Sequence, residues 1–147
     1  MSPTDVTAHY FDKSSPSKAA RWSGYVLQGI ATLFLVFDCA IKIFPSQEAI
    51  QGTGDLGFST SALLPLGLIE LVCLILYLVP RTSVLGALLW TGYLGGAIAT
   101  HFRLGNPLPT HTLFPIYVAI LIWGGIWLRD ERLRALIPFR SRWTLDS

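Results

Sequence analysis

The chain is short of charge. Asp, Glu, Lys and Arg make up only 14% of its 147 residues, against ~25% in an ordinary soluble domain. Cysteine is scarce too: Cys39 and Cys73 stand alone, far from any Cys-x-x-Cys spacing, so neither a paired-thiol centre nor a thiolate metal site is signalled. No His-Glu-x-x-His or Glu-x-x-His motif supports a metal, and none is expected. No glycine-rich cradle opens a helix, which leaves flavins and nucleotides without a signal and the expected cofactor list empty. Ser59 and Ser61 lack the His/Asp frame that would make either a nucleophile. The net charge of +2 is small and its basic residues gather near the chain ends, so nucleic acid is not an expected partner. No cleavable signal peptide is expected either, because the first apolar run exceeds the ~7–15 residues of such a segment. No lipidation box is seen.

Apolar length is what the chain has. Four runs, over residues 22–44, 61–79, 84–100 and 112–128, approach the ~20 residues that cross ~30 Å of hydrocarbon. They are continuous rather than alternating, which points to helices and away from a barrel. The expected fold is therefore all-α: an integral, multi-pass membrane four-helix bundle within the lipid bilayer. Pro45, Pro80, Pro107 and Pro109 end or interrupt helices, while Pro65 sits in a first turn, where it is tolerated. The link 80–83 is so short that the second and third helices should form an antiparallel hairpin. Residues 46–60, with Gly52, Gly54 and Gly57, read as a loop. The membrane domain spans 21–128. It is flanked by a polar tail, 1–20, expected to be disordered, and a basic tail, 129–147. In the latter, Leu133, Leu136 and Ile137 share a helical face. Two readings stand there: a short amphipathic helix on an anionic leaflet, or a plain arginine stop signal.

Orientation follows from the basic residues. Lys13, Lys18 and Arg21 precede the first span, Arg81 lies in the second link, and five arginines follow the last span. The first link has no Lys or Arg and the third only Arg103. The positive-inside rule then places both termini in the cytoplasm. Small residues mark packing surfaces. Gly92-x-x-x-Gly96 lies in the third span, Gly124-Gly125 in the fourth, and Gly24 and Gly29 in the first. They serve either packing within the bundle or a homodimer seam. The two cysteines should differ in depth by about 10 Å, too far for a disulfide.

Ionisable groups inside a bilayer cost roughly 2.5–3.5 kcal/mol each and mark functional sites by default. Asp38 and Lys42 are spaced i, i+4 near the end of the first helix and are expected to pair. Glu70 falls near mid-membrane with no sequence-local partner. His101 closes the third span, Arg103 follows it, and His111 opens the fourth. All should meet in the outer half of one bundle.

The run Gly92, Tyr93, Gly95, Gly96, Thr100, His101, Phe102, Arg103, Gly105, Asn106, Pro107 continues through His111, Phe114 and Pro115 to Trp123-Gly124-Gly125 and Arg129-Asp130. It resembles the DoxX-like family of small four-span membrane proteins. An acidic residue late in the first helix and a Glu in mid-second helix are similar to that family as well. The resemblance covers roughly residues 22–138 and implies a four-helix membrane bundle. The wider family includes a membrane subunit of a thiosulfate:quinone oxidoreductase, a membrane partner of thiol-stress enzymes, and chaperone-like relatives.

Three functions follow as expectations. The first is binding of a lipophilic small molecule or a membrane protein partner through the polar cluster, as an auxiliary subunit of a redox system. The second is an embedded isomerase or cyclase, with Asp38 and Glu70 as acid and base, His101 or His111 assisting, and Lys42, Tyr93 and Arg103 binding substrate. The third is an assembly chaperone or a carrier, although the internal repeats and broken helices usual in carriers are not seen.

Overall fold

The computed structural model describes residues 17–136. Of the expected tails 1–20 and 129–147, residues 1–16 and 137–147, including Ile137, lie outside the described residues. Among those described there is no strand. Four helical segments are long and apolar enough to cross a membrane: Lys18–Ile43, Thr60–Leu78, Ser83–Arg103 and Leu108–Trp127. Backbone polar groups in hydrocarbon must be satisfied within their own segment, and only the helix does so for a single apolar run.

Helix α1 (Lys18–Ile43) starts at Ser17, whose hydroxyl accepts from the Ala20 N–H at 3.1 Å. It thus begins three residues before Arg21 and fixes part of the stretch expected to be disordered. Before Pro45 it closes with the Phe44 N–H on the Ala40 carbonyl. The segment read as a loop holds a second helix, α2 (Gln47–Asp55), capped by the Ser46 hydroxyl on the Ala49 N–H. Gly57, at φ 82°, ends this excursion, a conformation open to glycine at little cost. A 3₁₀ turn (Thr60–Ala62) leads into α3 (Leu63–Leu78). Val79 is extended, as a residue before proline should be. The hairpin to α4 (Ser83–Arg103) is tied by the Thr82 hydroxyl, which donates to the Leu76 carbonyl at 2.9 Å. A π turn (Leu108–Thr112) precedes α5 (Phe114–Trp127), and α6 (Glu131–Leu136) follows.

The spans form a closed ring. α1 packs on α3 and α5, and α4 packs on the same two neighbours, so α1 and α4 face each other diagonally. Leu35, Leu74, Tyr77, Trp90, Val118 and Ile122 belong to the shared core. The outward faces carry Leu33, Phe37, Val72, Leu88 and Ile120, each more than half exposed. That is a belt suited to lipid tails rather than water.

Close approach occurs at glycines, but not where the Gly92-x-x-x-Gly96 spacing suggests. A Cβ on Gly86 would lie 2.3 Å from the Tyr77 backbone nitrogen. On Gly24 it would lie 2.9 Å from the Gly125 carbonyl, and on Gly67 3.2 Å from the Ile43 nitrogen. Gly29, Gly92, Gly95 and Gly96 meet nothing within 4 Å. The expected internal packing through Gly92 and Gly96 is therefore corrected: helix contacts of this bundle run through Gly24, Gly67, Gly86 and Gly125. Of the basic tail expected over 129–147, residues 129–136 are described, and Leu133 of α6 is buried in the bundle core; the remainder lies outside the described residues. Both cysteines are free, and Cys39 donates its thiol to the Gly67 carbonyl at 3.3 Å.

Candidate functional site

The end of the bundle with α2 and the π turn, hereafter the loop end, gathers the polar residues. Lys42 stands one turn beyond Asp38 on α1, its Nζ 2.6 Å from Asp38 Oδ2. The same ammonium is 2.5 Å from Glu70 Oε1, across the α1–α3 contact. Gly67 lets this happen: a Cβ there would sit 3.1 Å from the Lys42 Cβ, so the missing methyl brings the stems together. Exposure falls along the triad, from 27% for the Asp38 side chain through 17% for Lys42 to zero for Glu70. Glu70 thus has the partner that its local sequence could not supply.

Tyr93, on α4, completes the group. Lys42 Nζ lies 5.8 Å from its ring centroid, within cation–π range. An ammonium has three N–H donors. Two face carboxylates and one is left for something else.

A cavity of about 1070 Å³ opens in front of this group, between α1, α4 and α5 and beneath α2. Asp38, Lys42, Tyr93, His101 and His111 line it; Glu70 and Arg103 do not. Glu70 acts from behind, through Lys42. Arg103 is directed away and donates to the Leu56 carbonyl at 3.3 Å, tying α4 to the residue that follows α2. The two histidines do meet, their rings edge-to-face with centroids 5.9 Å apart. Each is held locally: His101 Nδ1 by the Asn106 amide at 2.9 Å and His111 Nδ1 by the Thr110 hydroxyl at 2.8 Å. Asn106 is a cavity residue that the sequence reading passed over. Its one signal is its place between a φ-positive glycine, Gly105, and Pro107.

The remaining wall is mostly apolar, with Ser46, Glu48, Thr53 and Asp55 at the α2 side and Thr100 on α4. Phe34 and Phe114 pack edge-to-face at 5.3 Å, and Gly92 and Gly96 also face the cavity. Their missing side chains, which admit no neighbouring helix, leave room here instead. Above, the Glu48 carboxyl on α2 is held below the usual carboxylate range by the Ser46 hydroxyl and by its own backbone N–H. Among the described residues no group of three His, Cys, Asp or Glu side chains is arranged to hold a metal ion. The constellation offers ion-pair and hydrogen-bond recognition at one end of a mostly apolar chamber.

Neither a curated protein nor a solved structure matches the chain. The DoxX-like family profile matches residues 26–125, a stretch running from the first turns of α1 to the end of α5. With four spanning helices and that match together, the chain is an integral, multi-pass membrane protein that belongs to the DoxX-like family.

Proposed function

We propose that the protein binds a lipophilic small molecule in the loop-end cavity, with the head of the molecule on Lys42, Asp38 and Tyr93. The observation that carries this reading is a carboxylate–ammonium–carboxylate triad in which Asp38 and Lys42 face the chamber while the fully buried Glu70 holds Lys42 from behind. Charged groups inside a membrane are expensive and persist where they serve a site or pathway. Two carboxylates against one ammonium leave an acid excess, which selects against an anionic head. The free N–H of Lys42 suits an acceptor and Asp38 suits a donor, so a neutral head bearing a hydroxyl beside a carbonyl fits best. His101, His111 and Asn106 would contact the opposite side of that head. The cation distribution along the chain supports a cytoplasmic location for both termini, which puts the cavity toward the non-cytoplasmic face.

The test is mass spectrometry of small molecules that co-purify with the full chain extracted from its own membranes. A species bound to the wild type should fall at least tenfold in Asp38→Asn, which touches the head, and in Glu70→Gln, which loosens Lys42. Undiminished occupancy in both variants, or a wild type carrying no such species, would overturn the reading.

Acid–base catalysis on the bound molecule is a second reading, favoured by the placement of Asp38, Lys42 and two imidazoles around one chamber. It predicts that the species recovered from Asp38→Asn is an isomer of that recovered from the wild type.

A further inference from the structure

The opposite end of the bundle, which carries the start of α1, the α3–α4 turn and α6, holds a second recess of about 950 Å³. From this groove we infer a binding site for one glycerophospholipid, its phosphate on Arg129 and one acyl chain along α1. The site is independent of the loop-end cavity.

Arg129 is built in rather than waving in solvent. Its Cγ fits against Gly24, where a Cβ would lie only 2.5 Å away. Its Nε donates to the Gly125 carbonyl at 2.9 Å, and its guanidinium stacks 4.8 Å from the Tyr25 ring centroid. These contacts occupy one of five N–H donors. The four terminal ones have no hydrogen-bond partner among the described residues, and Arg129 lines the recess. A fixed planar fork of free donors is the arrangement that recognises phosphate.

The rest of the groove has the polarity gradient of a lipid. Along α1 its wall passes from Tyr25 and Gln28 through Thr32 to Leu33 and Val36. Eleven residue steps at ~1.5 Å each give about 16 Å, close to half of the ~30 Å hydrocarbon layer. Deeper in this wall the Thr32 hydroxyl is buried and unpartnered. Gly29 forms part of the groove surface and meets nothing within 4 Å, leaving a slot for a chain. At the head end the lining pairs Arg129 and Arg132 with Asp130 and Glu131. Asp130 is partly engaged, accepting from the Arg132 and Leu133 N–H groups. This balance of two cations and two anions fits a phosphate that carries an ammonium beside it, so phosphatidylethanolamine is the probe of choice.

Native mass spectrometry of the delipidated full chain in detergent tests the site. One dioleoylphosphatidylethanolamine should bind. Dioleoylglycerol, with the same chains and no phosphate, should bind at least tenfold more weakly, and inorganic phosphate should not displace the lipid. Arg129→Gln should weaken binding at least tenfold through the head. Gly29→Leu should do the same by filling the slot, and no neighbouring atom lies within 4 Å of the Cβ it adds. If Arg129→Gln fails to fold, Gly29→Leu alone decides. Equal binding of dioleoylglycerol, displacement by phosphate, or undiminished binding by Gly29→Leu would each overturn the assignment.

Discussion

Lys42 concentrates most of the site's logic in one side chain. It neutralises a carboxylate on its own helix, Asp38, and a fully buried one on the next, Glu70. Removing one partner from a buried pair leaves an uncompensated charge and costs about 3–5 kcal/mol, whereas removing both charges is often close to neutral. Lys42→Met should therefore destabilise the bundle by roughly that amount, and Lys42→Met/Glu70→Gln should recover most of the loss. Denaturant titration of the purified protein followed by helix content reads both. A single variant as stable as the wild type would show that the triad does not clamp α1 to α3. The i, i+4 pair with Asp38 was legible in the sequence because both residues lie on one helix. The tie to Glu70 was not, because 28 positions separate the partners and only the packing of α1 on α3 brings them together.

At the scale of elements, glycine has opposite uses in this chain. Gly86 lies against the Tyr77 backbone, whereas Gly95 meets nothing within 4 Å. Gly86→Val forces a side chain into backbone that cannot yield. It should cost at least the ~1–3 kcal/mol of ordinary overpacking, while Gly95→Val should change stability by less than about 0.5 kcal/mol. Thermal unfolding of the two variants side by side checks this, and equal melting would show that the hairpin contact is not limiting. Sequence spacing could mark these glycines as small residues on helices, but not say which would face a neighbour. Gly92 and Gly96 have the four-residue interval of a packing motif, yet they face the cavity. Helix α2 escaped the sequence reading because Gly52 and Gly54 weaken its propensity. Its signal was Ser46 with Glu48 in the first turn, a cap and a favourable charge at a helix start.

The whole molecule is a ring of four spans with different ends. One end collects carboxylates, an ammonium and imidazoles around a cavity beneath α2. The other collects arginines, the start of α1 and α6. If the basic end faces the cytoplasm, a cysteine at Gln51 in an otherwise cysteine-free chain should react with an impermeant maleimide added to intact cells. Cysteines at Ser17 and Arg81 should react only after permeabilisation. The reverse pattern would turn the cavity toward the cytoplasm and remove the argument from cation placement.

The amino-acid sequence by itself determined the number of spans, their helical state, the hairpin between α3 and α4 and the pairing of Asp38 with Lys42. Each of these depends on runs, breakers or spacings within a single segment, where hydrocarbon leaves the backbone no other solution. Tertiary structure alone decided which side chains line a cavity: Lys42 in front of Glu70, Arg103 turned to Leu56, and two glycines spent on empty space. Those outcomes depend on the rotation of each helix about its axis. In a bilayer, where the spans are apolar nearly all round, no amphipathic stripe fixes that rotation; steric fit at a few glycines and one interhelical ion pair do.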